Sequence, residues 1–143
     1  MREIKFRGKR IDNGEWIKGD LWNRPYGDIG VSIVCFFHDS GTRGGLSVYP
    51  ETIGQYTGMV DVNNNLIYEG DIIRTHFKFE HEVVQEPFII QWNEEKAMFE
   101  GIKHNAEKNE YLSKFSFFPE QRFLYQVIGN IHENLELLEE TNE

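Results

Sequence analysis

The sequence of 143 residues has one cysteine, four prolines and no apolar run long enough to cross a membrane. A lone cysteine forms no intrachain disulfide and completes no zinc-binding pattern. Residues 1–10 (MREIKFRGKR) mix charged and apolar side chains at almost every step. They lack the apolar stretch of ~7–15 residues that a secretory signal requires. The longest apolar string, Ile33-Val34-Cys35-Phe36-Phe37, has the length of a strand, well short of the ~18 residues of a membrane helix. These absences predict a cytoplasmic protein with no membrane association.

Catalytic signatures are missing as well. The chain has no Gly-Lys-Ser/Thr of a phosphate loop, no G-x-G-x-x-G, no G-x-S-x-G and no H-E-x-x-H. Asp61-Val62-Asn63-Asn64-Asn65 starts like a calcium-binding loop. However, Leu66 stands where the sharp turn needs glycine, and Ile72 where a bidentate glutamate is required. His76 and His81 are five apart and point to opposite faces of a strand, while His38, His104 and His132 are scattered. All five read as surface or hydrogen-bonded side chains rather than metal ligands. Cys35 sits in an apolar run without an activating cation and reads as an inert thiol. Glu69 and Asp71 flank a glycine and read as turn formers rather than paired catalytic acids. The residues therefore point to no catalytic, cofactor-binding or metal-binding group, and the protein is expected not to be an enzyme.

What the chain does have is three Trp, six Tyr, eleven Phe and 13 Gly, a composition that excludes disorder and suits β structure with many turns. It carries 15 Lys plus Arg against 24 Asp plus Glu, for a net charge of −9. The charge is unevenly distributed: residues 1–24 carry +3, residues 25–129 carry −7 and residues 130–143 carry −5. An acidic average disfavours nucleic acid as a general partner, but the basic start leaves a local exception.

The apolar pattern predicts a mainly β protein of six to nine strands with little helix. Ile4 and Phe6 alternate with Lys5 and Arg7, the period of a half-buried strand. Asp12-Asn13-Gly14 follows as a turn, then a second strand from Glu15 to Trp22, making a β-hairpin. Further strands are expected at residues 31–37, briefly at Ser47-Val48-Tyr49, from Ile72 towards Phe79, and at residues 123–128. A second hairpin is expected from residues 87–92 and 97–102. The three asparagines at 63–65 predict a turn, residues 104–114 a loop or short helix, and Glu133 to Glu140 a short terminal helix. Glu69-Gly70-Asp71 echoes Gly19-Asp20, the kind of corner at which strands of a small barrel bend.

On the first hairpin, Lys5, Arg7 and Lys9 are expected to line one strand face, with Trp16 and Trp22 on the partner strand. Cations beside aromatic rings suit phosphate attraction and base stacking. This makes the hairpin the candidate binding surface, for a protein or, less favourably, for single-stranded nucleic acid.

Five segments carry a resemblance. They are Ile4-Lys5-Phe6-Arg7-Gly8-Lys9, residues 14–21 (GEWIKGDL), residues 50–58 (PETIGQYTG), residues 67–72 (IYEGDI) and residues 127–131 (VIGNI). In this order they resemble the YopX-like family of phage and prophage proteins. This chain departs from the family at Asn64-Asn65, where Asn-Gly is usual, and at Asn134-Leu135-Glu136, where Asn-Pro-Glu is common. The resemblance implies a single domain over residues 1–143, with a hairpin region at 1–49 and an SH3-type barrel over 50–143. It also implies a setting in a bacterial host cell and transfers no activity. The resulting expectation is a non-enzymatic interaction module whose partner is a host or phage protein. Its oppositely charged ends and short edge strands favour a homo-oligomer.

Overall fold

In a computed structural model of the chain, the residues described are 3–24, 32–36, 45–75, 87–105, 110–116 and 125–138, with side chains described for 3–21, 46–74, 87–103 and 125–138. The expected first hairpin forms from β1 (Phe6–Lys9) and β2 (Trp16–Arg24), paired antiparallel with Phe6 opposite Gly19 and Lys9 opposite Trp16. Its turn is closed by the Gly14 N–H on the Arg10 carbonyl and the Arg10 N–H on the Glu15 carbonyl. The Asn13 side chain accepts the Glu15 N–H at 3.0 Å, the local bonding that makes asparagine a turn residue.

The chain forms two compact units, Met1–Gly58 and Met59–Glu143. The first also holds β3 (Ser32–Phe36), β4 (Gly45–Val48) and a 3-10 turn at Pro50–Thr52 that leads into β5 (Gly54–Val60), whose last two residues, Met59 and Val60, belong to the second unit. The strand order is β4-β3-β2-β1-β5. One bridge, Arg10 with Val48, brings β4 back to the residue after β1. The core of this unit is Ile17 and Val48, with Leu46 and Ile53 packed against them. Gly8 lies opposite Ile17 on the same face. A Cβ at Gly8 would stand only 3.0 Å from two carbons of Val48, so any larger residue would require Val48 to give way by a few tenths of an ångström.

In the second unit, β6 (Leu66–Tyr68) pairs with β5. Strands β7 (Asp71–Thr75), β8 (Phe88–Asn93), β9 (Met98–Asn105), β10 (Glu110–Ser116) and β11 (Tyr125–Asn130) form a sheet in the order β10-β9-β8-β7-β11. Paired isoleucines explain its layering. In Ile72-Ile73 and Ile89-Ile90, neighbours point to opposite faces, so both faces are buried. Ile73, Ile90, Phe88, Tyr125 and Ile67 pack on one face, and Ile72 and Ile89 pack with Leu138 on the other. The Phe88 and Tyr125 rings meet edge to face at 6.1 Å.

The mainly β expectation holds, and among the described residues there is no α-helix. Accordingly, no helix among them is long and apolar enough to cross a membrane. Three local readings are corrected. Eleven strands among the described residues exceed the six to nine expected, because β5, β6 and β10 were not recognised as strands. Residues 110–116 are β10 rather than part of a loop or helix. Within the expected helix of Glu133 to Glu140, the described residues contain a four-residue 3-10 turn, Leu135–Leu138, that docks Leu138 on the sheet, and no α-helix. Among the described residues, β10 and β11 are opposite edges of an open order, with no ladder joining them.

The β8–β9 turn is closed by the Asn93 side chain, which accepts the Lys96 N–H at 3.0 Å. It ends at Ala97 in the left-handed region, at φ 50°. Alanine there bears a steric cost that glycine avoids. Ala97→Gly is therefore expected to raise stability by ~0.5–1 kcal/mol in urea unfolding, with an unchanged slope.

Candidate functional site

Cross-strand register decides which side chains share a face. Arg7 lies directly opposite Lys18, and Lys9 opposite Trp16. Opposed residues project to one side of a sheet, so Arg7, Lys9, Trp16, Lys18 and Asp20 share a face. Phe6, Gly8 and Ile17 turn to the other, towards the core. On the far side of β1, β5 places Gly54 opposite Arg7. The Tyr56 N–H donates to the Lys5 carbonyl at 2.8 Å, which sets Tyr56 beside Lys5. The expected row of Lys5, Arg7 and Lys9 therefore exists on one face, with Trp16 next to it. The backbone of Trp22 lies in β2 opposite Val34, but its side chain is outside the described residues.

The centre of the face is a cation–π contact, with the Arg7 guanidinium carbon 4.8 Å from the Trp16 ring centroid. Such contacts contribute ~0.5–1 kcal/mol at exposed sites, and here the contact also fixes the guanidinium in one place. Around it, Lys5 Nζ pairs with Glu3 at 2.8 Å on the surface. The Tyr56 phenol is pushed above its ordinary pKa by burial and further by the Glu3 charge, with Lys5 partly offsetting. At the hairpin tip, Arg10 and Asp12 form a two-pronged pair. The hydrogen bonds of that pair raise the Arg10 pKa and hold the Asp12 carboxyl below its usual range.

Three members of this face were missed in the sequence: Lys18, the acidic Asp20 two residues further on, and Tyr56. Lys18 follows Trp16 by two residues and was legible from the period-2 pattern alone. Tyr56 was not, because it depends on β1 pairing with a strand about fifty residues downstream.

The shared motifs elsewhere are taken up by folding. Thr52 accepts the Lys9 N–H at 2.9 Å and donates to the Tyr49 carbonyl at 2.6 Å, serving β1 just where its pairing with β5 ends. The buried Asp71 carboxylate accepts the Tyr68 N–H at 2.8 Å across the Glu69-Gly70 corner, with Gly70 at φ 90°. For Asp71 this is the turn role expected of the Glu69 and Asp71 pair. Asn130 accepts the N–H groups of His132 and Glu133 at 2.9 and 3.1 Å, and its own N–H donates to Asn134 at 3.2 Å. The Asp61 carboxylate likewise faces backbone N–H groups, at Asn63, Asn65 and Val127, rather than an open loop. Among the described residues, no group of three or more His, Cys, Asp or Glu is placed to hold a metal ion. The side chains of Cys35, His38, His76, His81 and His104 lie outside the described residues.

The chain is similar over nearly its whole length to a solved structure, the crystal structure of protein EF1440 from Enterococcus faecalis. The likeness covers 96% of this chain and 99% of that one, with a TM-score of 0.58 and 23% sequence identity, a level that speaks for the fold alone. No curated protein matches the sequence. The family model described as YopX protein matches residues 5–139, from the first hairpin through the C-terminal turn. The chain belongs to the YopX protein family.

Proposed function

We propose that the protein is a non-enzymatic interaction module that binds an acidic segment of a partner protein. It uses the face of β1 and β2 that carries the half-buried Arg7, Lys9 and Trp16 and the exposed Lys18. The observation that carries this reading is the placement of Arg7 directly opposite Lys18, with Trp16 beneath the guanidinium. Like charges opposed across a ladder work against the sheet. Departures from local stability rules of this kind are what a binding surface is expected to show. Lys9 extends the same positive face. Carboxylates suit an arginine already held in position, because bidentate pairing then costs little ordering.

Single-stranded nucleic acid is the second reading, supported by the same cations beside an aromatic ring. It is the weaker one, because the Arg7 guanidinium covers the Trp16 face on which a base would stack. An SH3-type barrel in the C-terminal part, and a role in a phage-bearing bacterial cell, belong to this proposal as consequences of the family resemblance.

The test is fluorescence anisotropy at low salt with a labelled polyglutamate peptide and, separately, a labelled oligothymidine. The peptide is expected to bind, with affinity falling about tenfold or more (~1.4 kcal/mol) in Arg7→Ala/Lys9→Ala. Circular dichroism checks that this variant remains folded. Tighter binding of the oligothymidine with the same variant response would replace the acidic-segment reading by the nucleic-acid one. If neither probe binds, both readings of this face fall.

A further inference from the structure

Strand β11 is an edge of the second unit's sheet, with β7 as its only ladder partner among the described residues. An edge strand presents alternate N–H and C=O groups to any chain that can pair with it. Here two of those groups are occupied by a turn rather than by a strand. The Val62 N–H donates to the Tyr125 carbonyl at 2.9 Å, and the Val127 N–H donates to Asp61 Oδ2 at 3.0 Å. The carboxylate oxygen stands where the carbonyl of a sixth strand would be.

The turn is built to hold that oxygen in place. Asp61 Oδ1 accepts the N–H groups of Asn63 and Asn65 at 2.9 and 2.8 Å, and the Asn65 side-chain amide donates to Oδ2 at 3.2 Å. The Asn64 N–H closes the turn on the Asp61 carbonyl at 3.0 Å, and Asn64 takes the left-handed conformation, at φ 67°. Asp61 is consequently 4% exposed, a carboxylate buried by its own backbone donors and by β11. A simple hairpin turn needs no such anchor on a strand more than sixty residues away in sequence.

We infer that the Asp61–Asn65 turn is a built-in guard of the β11 edge, and that opening it exposes a strand-addition site for a second copy of this chain. The second copy is the occupant that the edge itself specifies. Tyr125 and Val127 both direct backbone groups outward and are two residues apart. In an antiparallel arrangement about a two-fold axis through Gln126, Tyr125 of each copy pairs with Val127 of the other. The edge is therefore complementary to itself.

Val62→Pro tests the guard with little harm to the turn. Val62 is the second residue of the Asp61–Asn64 turn, a position that suits proline, and the change removes the N–H that reaches Tyr125. Asp61→Asn removes part of the other contact, and the two are combined in a third variant. Hydrogen exchange of the Val127 amide, measured in dilute protein, is expected to quicken about tenfold or more in the double variant. Sedimentation velocity across a concentration series is expected to show the double variant passing from monomer to dimer where the parent stays monomeric, with Val62→Pro shifted the same way. Circular dichroism confirms that β content is kept, and Val62→Pro alone carries the test if the double variant unfolds. Folded variants that remain monomeric at every concentration overturn the inference. So does a parent protein that dimerises as readily as the variants, or a Val127 amide that stays as protected as before.

Discussion

Asp61→Ala is expected to destabilise the protein by about 3–5 kcal/mol, a large share of the ~5–15 kcal/mol that holds a typical domain together. The carboxylate accepts three backbone N–H groups and one side-chain amide, and alanine leaves the donors from Asn63, Asn65 and Val127 without their acceptor. A hydrogen bond to a charged group contributes ~1.5–3 kcal/mol, and an orphaned buried donor adds its own desolvation cost. Urea unfolding measures the loss. A change below about 1 kcal/mol would show that the turn finds other partners.

The same residue gives the protein an acid dependence. Burial by itself would raise the Asp61 pKa, but the N–H donors of Val127, Asn65 and Asn63 outweigh it and hold the carboxyl below its ordinary value of 3.8. The folded state therefore binds this proton less readily than the unfolded chain. The stabilisation from Asp61 is complete above the unfolded value and is lost as pH falls through it towards the lower folded one. Urea midpoints are expected to decline from about pH 5 downward, and Asp61→Ala is expected to flatten part of that decline. An identical acid slope in parent and variant would assign the effect to other groups.

The second large effect is expected at Gly8. Alanine there brings a Cβ to 3.0 Å from Val48 Cβ and Cγ2, and Val48 is fully buried. Overpacking of this kind costs about 1–3 kcal/mol, and rotation of the branched valine does not move its Cβ out of the contact. Val48→Ala alone costs about 2 kcal/mol through the cavity it leaves. The two changes relieve each other, so the double variant is expected to be ~1–2 kcal/mol more stable than the sum of the singles. Strict additivity would mean that β1 shifts away instead. Arg7 and Lys9 flank Gly8, so Gly8→Ala also displaces the binding face, and the double variant should recover binding together with stability.

How much of this was legible in the sequence depended on how local the contacts are. The first hairpin announces itself through alternation and Asp12-Asn13-Gly14, since turn and pairing lie within a few residues of each other. The β8–β9 hairpin is legible for the same reason. Strand β5 was hidden, because Gly54-Gln55-Tyr56-Thr57-Gly58 has weak strand propensity and owes its conformation to β1, which lies far upstream. In the tail, leucines among glutamates suggest a helix. The hydrogen bonds of Asn130 with His132, Glu133 and Asn134 instead use the chain to form a turn, and the Leu135–Leu138 3-10 turn follows it. For the candidate site, alternation alone placed the basic row beside Trp16. The opposition of Arg7 and Lys18, and the arrival of Tyr56, required pairing that no single segment encodes.

The bond between Asp61 and Val127 joins residues 66 apart in the chain, which also imposes an order on assembly. During synthesis the Asn63 and Asn65 amides can capture the Asp61 carboxylate as soon as the hairpin emerges, since those contacts are local. Val127 emerges only after a further 61 residues beyond Asn65 have been made, and until then β7 is the growing sheet's open margin. A nascent protein that has not reached Tyr125 therefore already carries its lock without the strand that the lock secures. Unpaired strand edges of this kind are where incompletely folded chains mispair, and the interval closes when β11 docks.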